Sequence, residues 1–252
     1  MSNLYIKAQT LTDIADAIRN KTGASAMMTP SQMASAIGSI SGGDTTLEDE
    51  LITGELNNYE NSRVTTIRPY AFYSYQLLTT VSFPNVTSIG SYAFGYCTSL
   101  TTVSFPVVTS IKSYAFYSCT SLTTINFPKA THIESYAFRY CYSLTAASFP
   151  VATIIGSNAF QYCSALTTAS FPSAMSIGSY AFRNCYNLLS LYLLGSSVPT
   201  LTNISAFAST PISNYTTSTG GVYGSIYVPA SLYSSYITAT NWTRFSSRFV
   251  SV

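Results

Sequence analysis

Five cysteines stand at positions 97, 119, 141, 163 and 185, each 22 residues after the last. Thiols can hold a metal, pair as disulfides or act as nucleophiles. Metal ligation needs side chains that converge from different directions, as closely spaced cysteine pairs supply. A constant step instead sets Cys97, Cys119, Cys141, Cys163 and Cys185 in one column with parallel side chains. Neighbours in such a column lie about 4.8 Å apart at Cβ as well as at Cα. A disulfide needs its Cβ atoms within about 3.5–4.5 Å. The spacing therefore predicts buried structural thiols and no metal site. The odd count also gives no paired framework.

His132 is the only histidine, and Glu134 follows two residues later. A histidine beside a carboxylate suggests acid–base chemistry, but such chemistry needs an oriented nucleophile or a second carboxylate. After Glu60 the chain has no acid except Glu134. Glycoside hydrolysis by the usual route takes two. No phosphate-cradling loop or dinucleotide fingerprint is present. The expectation is a protein that is not an enzyme, with no catalytic residues and no cofactor. His132 then reads as a surface residue in a varied column of Ser88, Ser110, His132, Ile154 and Ser176.

Tyrosine offers recognition chemistry, with 21 copies in the chain. Tyr70, Tyr92, Tyr114, Tyr136 and Tyr180 share a column in which Asn158 takes the fifth place. Tyr73 and Tyr117 share another, as do Tyr96, Tyr140 and Tyr162, and Tyr142 and Tyr186. Tyrosine among serine and threonine supplies large, stiff, amphipathic contacts with adaptable hydrogen bonds. These twelve residues form a candidate binding surface. A second reading stays open, in which stacked tyrosines cover the coil edges and stabilise the rod.

These columns follow from one period. Ala-Phe recurs at 71–72, 93–94, 115–116, 137–138, 159–160 and 181–182, always in steps of 22. Leucine, isoleucine and Phe-Pro recur in the same register. In Leu100–Pro106, Val103 and Phe105 alternate with Thr102 and Ser104, the pattern of a half-buried strand. Pro106 lacks an N–H and should end the ladder. A unit of this size cannot bury its own apolar face, so the units must stack into a continuous core. The column Phe72, Phe94, Phe116, Phe138, Phe160 and Phe182 is expected to be its main support.

The pattern L-x-x-I-x-F-P-x-x-T-x-I-x-x-Y-A-F-x-x-C resembles the BspA-like leucine-rich repeat over about residues 56–194, in units one residue shorter than that family's usual length. The resemblance implies a right-handed, β-rich leucine-rich-repeat solenoid with one short parallel strand per 22-residue repeat. It also implies a non-enzymatic, adhesive role at a bacterial or host surface, with a protein or glycan as partner.

Residues 1–41 read as a separate helical hairpin. Leu11, Ile14, Ala15 and Ile18 share one face. Thr29-Pro30-Ser31-Gln32 announces a second helix. This segment resembles the N-terminal segments of phage and prophage tail-associated proteins. That resemblance implies attachment or homo-oligomerisation, and an alternative role in tail receptor binding. Residues 42–63 read as a linker and a polar capping coil, 64–194 as the strict repeats, and 195–252 as a degenerate repeat with a C-terminal cap.

Residues 1–60 carry net −5 and residues 61–252 net +7. The positive charge is thin and unclustered, which argues against a nucleic-acid partner. No apolar run reaches 18 residues, so no membrane insertion is expected. The N-terminus has no signal-peptide pattern, which leaves a cell-surface, extracellular or virion-associated location as the expectation.

Overall fold

A computed structural model describes residues 58–60, 65–215 and 217–252. The expected hairpin of residues 1–41, its role in oligomerisation, and most of the expected linker and polar cap lie outside the described residues. The chain divides into two compact units, Met1–Tyr59 and Glu60–Val252. The repeats and the C-terminal segment make up the second unit.

Each repeat contributes the expected short strand, which is three residues long. These are β3 (Thr80–Ser82), β5 (Thr102–Ser104), β7 (Thr124–Asn126), β9 (Ala146–Ser148), β11 (Thr168–Ser170) and β13 (Ser190–Tyr192). A second, two-residue strand accompanies it: β2 (Thr66–Ile67), β4 (Ser88–Ile89), β6 (Ser110–Ile111), β8 (His132–Ile133), β10 (Ile154–Ile155), β12 (Ser176–Ile177) and β14 (Thr200–Leu201). A short strand β1 covers Asn58–Glu60, and β15 (Ser225–Val228) and β16 (Phe249–Ser251) end the series. The repeats pair in parallel and in register, with Thr80 opposite Thr102 and Ile89 opposite Ile111.

The strands are short for a local reason. Phe83 N–H still reaches Ser104 O in the next coil at 3.1 Å, but Pro84 has no donor to continue. Two threonine columns add a second ladder. Thr101 Oγ1 donates to Thr79 O at 3.0 Å, and Thr109 Oγ1 to Thr87 O at 3.3 Å, each one coil back. These hydroxyls belong to the scaffold.

The core is two interlocked columns of phenylalanine. Phe72, Phe94, Phe116, Phe138, Phe160 and Phe182 stack with centroids 5.0–5.5 Å apart. Phe207 extends the column at 5.7 Å despite the longer step in sequence. Phe83, Phe105, Phe127, Phe149 and Phe171 form the second column, edge-on or tilted to the first. From Phe83 to Phe182 none is more than 1% exposed. At the C-terminal end, Phe245 meets Phe207 edge-on at 5.3 Å, beside Trp242, Phe249 and Tyr236 of helix α1 (Tyr233–Thr238). The polar atoms of these buried rings are satisfied, with Trp242 Nε1 donating to Pro199 O and Tyr236 Oη to Leu193 O.

The stack has one seam. The sheet of two-residue strands runs unbroken from β2 to β14, but the three-residue strands divide between β7 and β9 into two sheets. The sequence register continues across this point without a break. The seam falls where the inward residue of the strand changes from Ile125, which is half-buried, to the buried and smaller Ala147. The two sides stay joined through β8–β10 and through Phe127 on Phe149 at 6.0 Å.

Candidate recognition surface

Every Tyr-Ala-Phe segment turns sharply, and the turn rests on left-handed backbone. Tyr70, Tyr92, Tyr114, Tyr136, Asn158 and Tyr180 have φ between 56° and 64°. Four residues on, Ser74, Tyr96, Ser118, Tyr140, Tyr162 and Asn184 lie between 57° and 65°. This conformation costs a bulky residue about 1 kcal/mol or more. It aims the amides along the stack. Tyr92 donates to Ser113 O, Phe94 to Ala115 O and Tyr96 to Tyr117 O, at 2.7–3.3 Å. The hydrogen bonds between coils hold the strained residues in place.

The turn also fixes where the tyrosine rings go. Tyr70, Tyr92, Tyr114 and Tyr136 stack face to face at 5.2, 4.5 and 4.6 Å, with planes within 6°. A second row, Tyr73, Tyr96, Tyr117 and Tyr140, runs beside it edge-to-face at 5.3–5.5 Å. Tyr162 and Tyr142 pack on Tyr140 at 5.0 and 5.8 Å. Cross-contacts such as Tyr70–Tyr73 and Tyr114–Tyr117, both 5.5 Å, join the rows. Ten of the twelve candidate tyrosines therefore form one continuous surface. Tyr180 and Tyr186 stand apart from it: Tyr180 carries Arg183 over its ring at 5.2 Å, and Tyr186 meets Tyr215 at 5.3 Å.

Ring faces are largely used within the stack, and the rings are exposed or half-buried at the surface. Burial, with neighbouring tyrosines second, raises the phenol pKa of Tyr73, Tyr92, Tyr142 and Tyr186, and that of Tyr117 to about 12. These five hydroxyls stay protonated across the physiological range.

Sequence reasoning singled out neither Arg139, Gln161 nor Tyr215, and gave Asn158 no role of its own. Arg139 lies over Tyr136 and Tyr140 at 5.5 and 4.5 Å, and its Nη2 donates to Tyr140 Oη at 2.8 Å. Asn158 and Gln161 replace the bulky pair of the neighbouring coils, and Asn158 Nδ2 donates to Gln161 Oε1 at 2.8 Å. Tyr215, from the C-terminal segment, packs on Tyr186. The available signal was Asn158 itself. Asparagine shares little with tyrosine except tolerance of left-handed backbone.

The thiols lie on the interior side. All five are free and buried. Each donates to a phenylalanine carbonyl, as Cys119 Sγ does to Phe94 O at 3.1 Å and Cys141 Sγ to Phe116 O at 3.3 Å. Burial pushes the Cys97 thiol up to about 12 and Cys119, Cys141 and Cys163 well above the usual range. Enclosed, all five serve as hydrogen-bond donors within the core.

His132 lies at the surface, with Nδ1 2.8 Å from Thr131 Oγ1. Glu134 is engaged elsewhere. It accepts from Lys112 Nζ at 2.8 Å and from both N and Oγ of Ser113 at 3.0 Å. Burial alone would raise its pKa, but these hydrogen bonds outweigh it and hold the carboxyl below the ordinary range. A carboxylate so held is a weak base, and it clips one coil to the next. Among the described residues no group of three or more His, Cys, Asp or Glu could hold a metal ion.

A family model described as a BspA-type leucine-rich repeat region matches residues 65–189 and 130–223, in six copies. A leucine-rich repeat protein from Bacteroides ovatus, of known crystal structure, is similar at 26% identity and a TM-score of 0.51, over 57% of this chain and 41% of that one. A leucine-rich cell surface protein from Faecalibacterium prausnitzii aligns at 24% identity and a TM-score of 0.43, over 67% of this chain and 59% of that one. The chain thus spans less than two thirds of either protein's length. No curated protein matches it. The chain belongs to the BspA-type leucine-rich repeat family.

Proposed function

We propose, from membership of that family as the premise, that this chain is a non-enzymatic binding protein that contacts a protein or glycan at a cell surface. Its tyrosine-rich side is the contact face. The observation that carries this reading is the continuous surface of ten tyrosines, from Tyr70 to Tyr162, all exposed or half-buried. Stacking on neighbours pre-orders these side chains, so binding them costs little further rotamer entropy. The same stacking stabilises the rod.

The cell-surface setting is supported by membership of the BspA-type leucine-rich repeat family, whose resemblance implies an adhesive role. The reading is tested by saturable binding of the purified chain to intact bacterial and epithelial cells. Paired substitution Tyr96→Ser and Tyr117→Ser should weaken that binding at least tenfold. Undiminished binding by the pair would show that the tyrosine side is not the contact face.

A further inference from the structure

Burial divides the oxidisable side chains of this molecule. The five thiols and the ring of Trp242 are at most 1% exposed. Met175, the one methionine among the described residues, is 63% exposed, but a thioether goes to its sulfoxide and forms no bond to a neighbour. A one-electron oxidant therefore meets tyrosine. Most of the exposed tyrosines belong to the connected rows, where each ring touches several others. Tyr92, for example, meets Tyr70, Tyr73, Tyr114 and Tyr117. An unpaired electron formed there is shared along the rows.

One tyrosine pair stands by itself. Tyr192 of β13 and Tyr227 of β15 are direct partners in parallel strands. Leu191 and Ile226, beside them in sequence, are fully buried. Alternation along the strand then puts both tyrosines on the outward face, where both are half-buried. Their ring centroids are 4.5 Å apart and their planes 11° from parallel. The next strand partners are Ser170 on one side and Val250 on the other. Among the described residues neither ring meets a third aromatic ring. The pair also brackets residues 193–226, the irregular stretch that leads from the last regular repeat into the C-terminal cap.

We propose that Tyr192 and Tyr227 form a modification site, joined as dityrosine by a haem peroxidase acting with hydrogen peroxide, and that the link staples the C-terminal cap to the last repeat. Each phenol gives up one electron and its hydroxyl proton. The two phenoxyl radicals then bond through ring carbons ortho to oxygen. The hydrogen on each of those carbons moves to its oxygen and restores the phenol. The two electrons and two protons released reduce one hydrogen peroxide to two waters. A carbon–carbon link holds two rings edge to edge with their centres scarcely nearer than they already are at 4.5 Å. The rings need only swing about their side-chain bonds while the strands stay paired. A cross-link stabilises by restricting the unfolded chain, and more so the longer the loop it closes. This loop is longer than the single repeat between Tyr92 and Tyr114. The site is separate from the tyrosine rows and independent of the binding role proposed for them.

The test treats the full chain with a haem peroxidase and hydrogen peroxide, at a dilution that keeps separate chains from joining. Peptide mapping by mass spectrometry, on the fraction that still runs as a single chain, should find Tyr192 joined to Tyr227 with the loss of two hydrogens. Tyr227→Phe keeps the stacked ring and removes the phenol, so its oxidised form should lack this link. The oxidised parent should melt at least about 5 °C above oxidised Tyr227→Phe, while the two proteins melt together before oxidation. Tyr192→Phe should behave in the same way and carries the test if Tyr227→Phe does not fold. Dityrosine found only at other tyrosines, or only between chains, overturns the proposal. Equal melting of the oxidised parent and the oxidised variant overturns the staple.

Discussion

Tyr136 and Phe138 are two residues apart, and their rings do nearly the same thing. Tyr136 stacks on Tyr114 at 4.6 Å, and Phe138 on Phe116 at 5.2 Å, with planes almost parallel in both pairs. One pair is half open to solvent and the other is fully buried. The buried column accepts no replacement from Phe72 to Phe207, whereas the open one accepts Asn158. The burial rather than the stack sets the tolerance. Ring stacking adds about 0.5–1.5 kcal/mol, while a phenylalanine lost from a packed core costs several times that. The period therefore builds a scaffold on one side and leaves the other free to vary for recognition.

The largest effect should come from the scaffold side. Phe138→Ala removes a ring packed against Phe116, Phe127, Phe149 and Phe160. It should cost about 3–5 kcal/mol in denaturant unfolding. A loss below about 1 kcal/mol would place the column outside the cooperative core. Cys141→Ala should follow at about 1–2 kcal/mol. It takes one donor from Phe116 O, which keeps the amide of Cys119. Tyr114→Asn, on the open side, should change stability by no more than about 1 kcal/mol. It loses two solvent-facing stacks, on Tyr92 and on Tyr136, and relieves left-handed strain at φ 63°, effects of opposite sign.

The smallest effect is electrostatic. Glu134 has a lowered pKa because Lys112 and Ser113 outweigh burial. A depressed carboxyl contributes stability that is present above its unfolded pKa and lost as pH falls through its folded pKa. The Lys112 and Glu134 side chains are 44% and 34% exposed, so solvent screening keeps the gain below about 1 kcal/mol. Glu134→Gln should be less stable than the parent at pH 7, and the difference should shrink as pH falls through the acidic range. A constant difference across that range would mean that charge plays no part.

The seam provides a second contrast within the scaffold. Amide exchange should be faster in β7 and β9 than in β5 and β11, which have strand partners on both sides. Equal protection would show that the break in pairing has no dynamic consequence.

Strict recurrence made much of this legible. Residues that repeat in register stack in register, so the three-residue strand, the Phe72-to-Phe182 column and the thiol column all follow from the step of 22. The two-residue strand was harder to read, since Ser88-Ile89 is too short to show alternation. The left-handed turns were hidden because tyrosine is a poor marker of positive φ, and only the asparagines at 158 and 184 betray it. The seam was invisible because the spacing does not change across it, although it coincides with the step from Ile125 to Ala147. Arg139 was counted as one charge in a thin field, and only the turn geometry places it among the rings.

The most direct test measures stability and recognition on the same variant. Tyr92→Asn combined with Tyr114→Asn uses the residue that the column already accepts at 158. The expected result is a folded protein that melts within a few degrees of the parent, as befits a ΔΔG of about 1 kcal/mol, and binds cells at least tenfold more weakly. Full binding with the melt preserved, or a collapse of the melt itself, would contradict the division between a buried scaffold and an open recognition side.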